Sequence, residues 1–214
     1  LHYEPNSSKI FTNTDIKGGV AISYYDKQKK YKAIEHFVVF DELRSIVQRV
    51  NNSCEIPFSN KIYAAESYRF TEQMHHDHPE VEFLLSSGHK YDFKSNVLSN
   101  LDNLIFFAEK PSESSDYIKI LGLADGKRCE KWIKRNYVRT PDNFDYFKVF
   151  LPKANGSGAF GETLSTPVIG PPQVGHTQTF MSLGKCESAA EANSIIRYLK
   201  TKFARALLGV LKIT

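Results

Sequence analysis

Between Lys148 and Lys185 two apolar strand patterns are separated by a long span of Gly, Ser, Asn and Pro that carries few charges. Val149, Phe150 and Leu151 form the first pattern, and Thr179, Phe180, Met181 and Leu183 form the second. A chain built this way needs a scaffold that holds both strands and lets the connection project. Long connections of this kind are uncommon in compact domains and usually carry function. Gly156, Gly158 and Gly161 let the backbone take positive φ or approach a ligand closely. Pro167, Pro171 and Pro172 stiffen the second half. Lys153, Asn155, Ser157, His176, Thr177 and Gln178 supply one charge and several neutral hydrogen-bonding groups along the span.

At 214 residues the chain can bury a sizeable core in one large domain or one and a half. Its net charge of +4 makes no case for nucleic acid by itself. No apolar run approaches membrane-spanning length and no signal peptide is visible. Cys54, Cys129 and Cys186 are widely spaced and odd in number, which reads as reduced core thiols in a cytoplasmic protein. Leu1 is not an initiator Met, and an apolar helical pattern runs to Thr214 without a terminating Gly or Pro. The chain reads as an excised piece of a larger protein.

Val20–Tyr25 is a β-branched and aromatic run, predicted to be a buried strand, and Ile34–Phe40 suits the next one. Asp41 is placed to cap a helix whose apolar side carries Leu43, Ile46, Val47 and Val50. Ile118–Leu123 is a clear apolar strand. From Lys127 to Arg139, six basic residues (Lys127, Arg128, Lys131, Lys134, Arg135 and Arg139) alternate with Trp132, Tyr137 and Val138, and only Glu130 opposes them. This segment is predicted to be a helix of about three turns with its cations turned out. Arg and Lys interleaved with aromatics beside a glycine-rich loop suit a surface that follows phosphates. Ser188 and Glu191 form a capping box ahead of a long helix whose core stripe runs Ala192, Ile195, Ile196, Leu199, Phe203, Ala206, Leu207, Val210. Arg197, Thr201 and Arg205 share another side of it.

Other motifs offer less. His75, His76, Asp77 and His78 have metal-ligand residue types, yet Pro79 follows and no second His or Cys cluster completes a closed site. Gly156-Ser157-Gly158 lacks the Gly-Lys-Ser/Thr that opens the helix of a Walker loop. Ser157 is not in a nucleophile elbow. Asp142, Asp145 and Lys148 echo the acid and lysine groups of a metal-dependent nuclease, with the last pair one residue too far apart.

Two stretches are more informative as wholes. The segment Phe11–Tyr25, with Ile16-Lys17-Gly18-Gly19-Val20 inside it, resembles the last strand region of the methylase core in adenine-N6 DNA methyltransferases of type IIG restriction–modification systems. Lys148–Thr214, with LPKANGSGAFGE, PVIGPPQVGHTQTF and YLKTKFARALLGVLKIT, looks like the C-terminal target-recognition region of that family. Together they cover about eighty residues and bracket the chain. The resemblance implies that residues 1–26 end an upstream methyltransferase core and that residues 27–214 form a DNA target-recognition domain. The family's Asp/Asn/Ser-Pro-Pro-Tyr/Phe/Trp catalytic motif and its S-adenosylmethionine-binding glycine motif are absent from these 214 residues. The piece is therefore expected to be non-catalytic by itself and to hold no cofactor, with S-adenosylmethionine bound by the parent enzyme.

The expectation is an α+β fold: a mixed sheet flanked by helices, with a long C-terminal helix along it. Its function is expected to be sequence-specific recognition of double-stranded DNA beside the methyltransferase domain of the same chain, in the cytoplasm. The residues expected at the DNA are Lys127, Arg128, Lys131, Lys134, Arg135, Arg139, Lys153, Asn155, Gly156, Ser157, Gly158, His176, Thr177 and Gln178, with no metal. The alternatives are a metal-dependent nuclease domain using Asp142 and Asp145, or a protein-interaction module whose basic side binds an acidic partner.

Overall fold

In the computed structural model, which describes residues 2–16, 19–31, 38, 40–111, 116–154, 162, 164 and 166–211, Asp125 and Gly126 both take positive φ, 50° and 73°. That is the backbone of a two-residue hairpin turn whose twist matches its strands, and Asp-Gly is a preferred pair for it. The strands it joins pair in unbroken antiparallel register from Tyr117↔Lys134 to Ala124↔Lys127. The helix expected over Lys127–Arg139 is thus a strand followed by a short helical turn, Arg135–Tyr137. A partner strand supplies a full ladder of hydrogen bonds there, and this outweighs the helical spacing of Ile133 and Tyr137 beside Trp132.

In chain order the first elements are β1 (His2–Glu4), β2 (Val20–Ile22), α1 (Asp41–Ser53), β3 (Ile62–Tyr63), β4 (Arg69–Phe70), α2 (Glu72–Asp77) and α3 (Val97–Asn100). They are followed by β5 (Tyr117–Ala124), β6 (Lys127–Lys134), β7 (Val138–Arg139), β8 (Phe147–Pro152), β9 (Val168–Gly170), β10 (Val174–His176), β11 (Phe180–Cys186), α4 (Ala189–Leu199) and α5 (Lys202–Leu211). The fold is α+β. No helix among the described residues is long and apolar enough to cross a membrane.

The chain divides into two compact units. One gathers Leu1–Pro57, Ser157–Glu162 and Lys202–Thr214. In it β1 and β2 pair antiparallel, His2 opposite Ile22. The buried strand expected over Val20–Tyr25 stops at Ile22, and Tyr24 and Tyr25 are exposed beyond the end of a two-stranded ladder. Most of the strand expected at Ile34–Phe40 lies outside the described residues. In α1 the N-cap position is Phe40, not Asp41, and it makes no side-chain capping bond.

Among its described residues the other unit, Phe58–Gly156 with Thr163–Thr201, holds two larger sheets and a two-stranded antiparallel pair, β4-β7. The first has order β10-β5-β6, with β10 parallel and β6 antiparallel to β5. The second, β3-β11-β8-β9, is antiparallel throughout. Because side chains alternate along a strand, β8 serves two layers. Val149 and Leu151 pack with Ala192, Ile196 and Leu199 of α4. Phe150 points the other way, into a cluster with Leu121, Val174 and Phe180 that joins the sheets. A Cβ at Gly170 would lie 2.4 Å from the Phe150 ring, so any other residue there would force that buried ring to shift. The opposite side of β5–β6 carries Ile118, Ile120 and Ile133 into the main core with Phe70, Phe93, Leu98 and Phe106.

The capping box forms in a modified way: Ser188 Oγ accepts from Glu191 N–H at 3.2 Å, while the Glu191 carboxylate accepts from Glu187 N–H at 3.0 Å. The single long C-terminal helix does not form. Thr201 turns its N–H and its hydroxyl back to the Tyr198 carbonyl, at 2.9 and 2.7 Å, and ends α4; a separate helix, α5, follows in the other unit. Arg197 and Arg205 therefore lie on different helices. The three cysteines are free thiols, and of the expected core thiols only Cys186 is buried.

Candidate nucleic-acid interface

Three of the residues singled out in the sequence meet at one open groove of about 540 Å³. Arg128 comes from the start of β6, Lys153 from just beyond β8, and Gln178 from the turn between β10 and β11. Ser95, Thr179, Leu123, Pro152, Ala154 and Phe180 complete the lining. An adjoining recess of about 430 Å³ shares Ser95, Lys153 and Gln178 and adds Ser86, Lys94 and Asn96. Ala154, the residue before the glycine-rich span, is part of the groove lining.

The backbone around the groove is tightly held. Gln178 N–H donates to Phe93 O (2.7 Å), Thr177 N–H to Leu121 O (2.9 Å), and Lys153 N–H to Thr179 O (2.9 Å). The Gln178 side chain is half-buried and its amide has no hydrogen-bond partner among the described residues. Lys153 reaches Glu66 at 2.7 Å, both side chains being about half exposed. That bond holds the Glu66 carboxyl below the usual carboxylate range. A surface pair of this kind is weak and readily exchanged for another anion. The Arg128 guanidinium lies over the Phe180 ring (5.3 Å) and donates to both the carbonyl and the hydroxyl of Thr166. It fixes the returning limb of the span.

The remaining candidates are dispersed. Alternation along β6 turns Lys131 to the core side, where it is 8% exposed, donates to Leu98 O (3.0 Å) and pairs with Asp102 (2.5 Å). It is not a surface cation. Lys127 is exposed beside the hairpin turn, and Lys134 is exposed with its ammonium over the Tyr137 ring at 5.3 Å. Arg135 uses its guanidinium to close its own turn, donating to Val138 O and Thr140 Oγ1, both at 2.9 Å. Arg139 is exposed and lines a separate recess with Arg69, Thr71 and Tyr91. Asn155, Gly156, Ser157 and Gly158 lie outside the described residues.

His176 and Thr177 are fully buried, so neither offers its side chain to a ligand. β10 is a narrow strand paired with β5 and covered by both clusters, which leaves His176 edge-on to Tyr68 (4.7 Å) and Phe150 (5.4 Å). Its Nδ1–H donates to Thr177 O at 3.0 Å, and burial pushes its pKa down to about 4. Lys148 is buried too. Its ammonium donates to the carbonyls of Phe144, Tyr146 and Pro171 at 2.7, 2.9 and 3.1 Å. Burial lowers its pKa to about 8 against the opposing pull of Asp145.

The His75–His78 run scatters its rings to different partners: His75 to Lys90 O, His76 to Asp77, and His78 to Glu80. Among the described residues no group of three or more His, Cys, Asp and Glu is placed to hold a metal ion. Asp142 pairs with Lys185 at 3.1 Å.

Lys94, Ser95 and Asn96 escaped the sequence reading. They precede the short helix α3 as an ordinary polar run, and their signal appears only when Gln178 pairs with Phe93 and draws that run to the groove. The hairpin's sequence signal is Asp125-Gly126, which the helical reading of the following segment passed over. No protein-family model, curated protein or solved structure matches this chain.

Proposed function

We propose that this chain is a recognition module for double-stranded DNA, reading sequence at the groove formed by Arg128, Lys153 and Gln178. The supporting observation is that these three residues, far apart in sequence, line one open concavity, and that Lys153 and Gln178 also line an adjoining recess with Lys94 and Asn96. Ammonium and guanidinium groups neutralise phosphates, while Gln and Asn amides pair bidentately with adenine N6 and N7 in the major groove. Lys153 and Lys94 take the first role. Gln178, whose backbone is braced and whose amide is unengaged, takes the second with the exposed Asn96. The resemblance described above adds the setting: the recognition half of an adenine-N6 DNA methyltransferase from a restriction–modification system. In that setting the methyltransferase domain binds S-adenosylmethionine and acts on an adenine flipped from the stack. This chain holds the duplex and transfers no methyl group itself.

The test is selection from a randomised duplex library by the purified chain. Enrichment of one motif, lost in Gln178→Ala and weakened on all sequences in Lys153→Gln, is the expected result. Uniform recovery of the library by the wild-type chain would defeat the reading. Cleavage of the duplex when divalent metal is added would favour a nuclease.

A further inference from the structure

Alternation on β6 puts Arg128, Glu130, Trp132 and Lys134 on one side, while Lys131 and Ile133 face the core. The register of the hairpin sets Lys119 opposite Trp132 and Tyr117 opposite Lys134. Lys119 and Lys110 bring their ammonium groups to 5.2 and 5.4 Å from the Trp132 ring centroid. Glu130 is the one acid at the outward positions of these two strands, and it is engaged by Lys119 at 3.1 Å with both side chains about 40% exposed. Lys110 and Lys134 have no carboxylate partner among the described residues.

This stripe is continuous with the groove, because Arg128 belongs to both. From Arg128 to Lys134 the strand advances about 20 Å, at roughly 3.3 Å per residue. One strand of a duplex presents a phosphate about every 3.4 Å of helix axis, and the backbone winds around that axis, so the stripe is long enough for several consecutive phosphates. Trp132 is half-buried beneath these ammonium groups, and such contacts are weak enough for an ammonium to shift to a phosphate oxygen. Resting on the duplex-DNA reading, we propose that the outward side of β5–β6 is a track for the nucleic-acid backbone leading out of the groove, on which Lys110, Lys119 and Lys134 contact phosphates around Trp132.

Trp132 is the only tryptophan of the chain, so its emission reports on this surface directly. Titration of the whole chain with a mixed-sequence duplex is expected to change that emission along the binding isotherm. The double variant Lys119→Gln/Lys134→Gln is expected to melt like the wild type and to lose roughly 1.8 from the slope of log K against log salt, about 0.9 per contact. Duplex binding with a silent Trp132 and an unchanged slope overturns the track and leaves the groove reading in place. Equal affinity for polyglutamate at the same salt overturns the nucleic-acid assignment in favour of an acidic protein partner. Absence of any duplex binding by the wild type overturns the track and the groove together.

Discussion

Arg128 donates two hydrogen bonds to Thr166, one to its carbonyl and one to its hydroxyl, both at 2.9 Å. Thr166 sits at φ 28°, a conformation that a Thr reaches only when held. The hairpin residue that lines the groove is therefore also the clasp on the returning limb of the glycine-rich span. A lysine keeps the charge but lacks the planar fork. Arg128→Lys is expected to weaken duplex binding nearly as much as Arg128→Gln, measured by fluorescence anisotropy. Full rescue by lysine would reduce Arg128 to a plain cation.

Lys131 is expected to matter for stability and not for DNA. Lys131→Met leaves the Leu98 carbonyl and Asp102 without their donor. The loss of a bond to a charged group costs about 1.5–3 kcal/mol. Denaturant unfolding measures the loss, and the salt slope of duplex binding should stay at the wild-type value. A reduced slope would mean that Lys131 reaches a phosphate after all.

His176 makes stability depend on pH. Its folded pKa, about 4, lies below the value of 6.5 it regains on unfolding. Between those values the unfolded chain binds the extra proton, so stability rises with pH there. Its contribution is complete above about pH 6.5 and fades as pH falls towards 4, by up to roughly 1.4 kcal/mol per unit. Urea midpoints across this range should show the decline, and His176→Gln should flatten it.

Lys148→Met should be among the most damaging single substitutions. The side-chain volume is nearly kept, but the carbonyls of Phe144, Tyr146 and Pro171 lose a shared donor in a site closed to water. A loss of at least about 2 kcal/mol is expected from calorimetry or chemical unfolding. A neutral result would show that water replaces the ammonium.

Much of the fold was legible locally. Ile118–Leu123 is apolar except for Lys119 and sits in β5, where Ile118, Ile120, Leu121 and Gly122 are buried. Ser188 and Glu191 start α4, and its stripe of Ala192, Ile196 and Leu199 meets the sheet. These elements follow from periodicity and capping, which involve near neighbours in the chain. The α+β class follows from them.

Tertiary pairing decided the rest. Ile133 and Tyr137 suit a helix by spacing, but an eight-residue partner strand across Asp125-Gly126 makes Lys127–Lys134 extended. Alternation then buries Lys131 and leaves Lys134 outside, a choice that depends on which side of the hairpin faces the core. His176 has the polar character of a loop residue, yet parallel pairing with Leu121 carries it into the interior. The groove and its adjoining recess together gather Lys94, Arg128, Lys153 and Gln178 across eighty-five positions of sequence. Local propensity acts over a few residues, while a site of this kind is defined by strand register and by which side of each pleat the core covers.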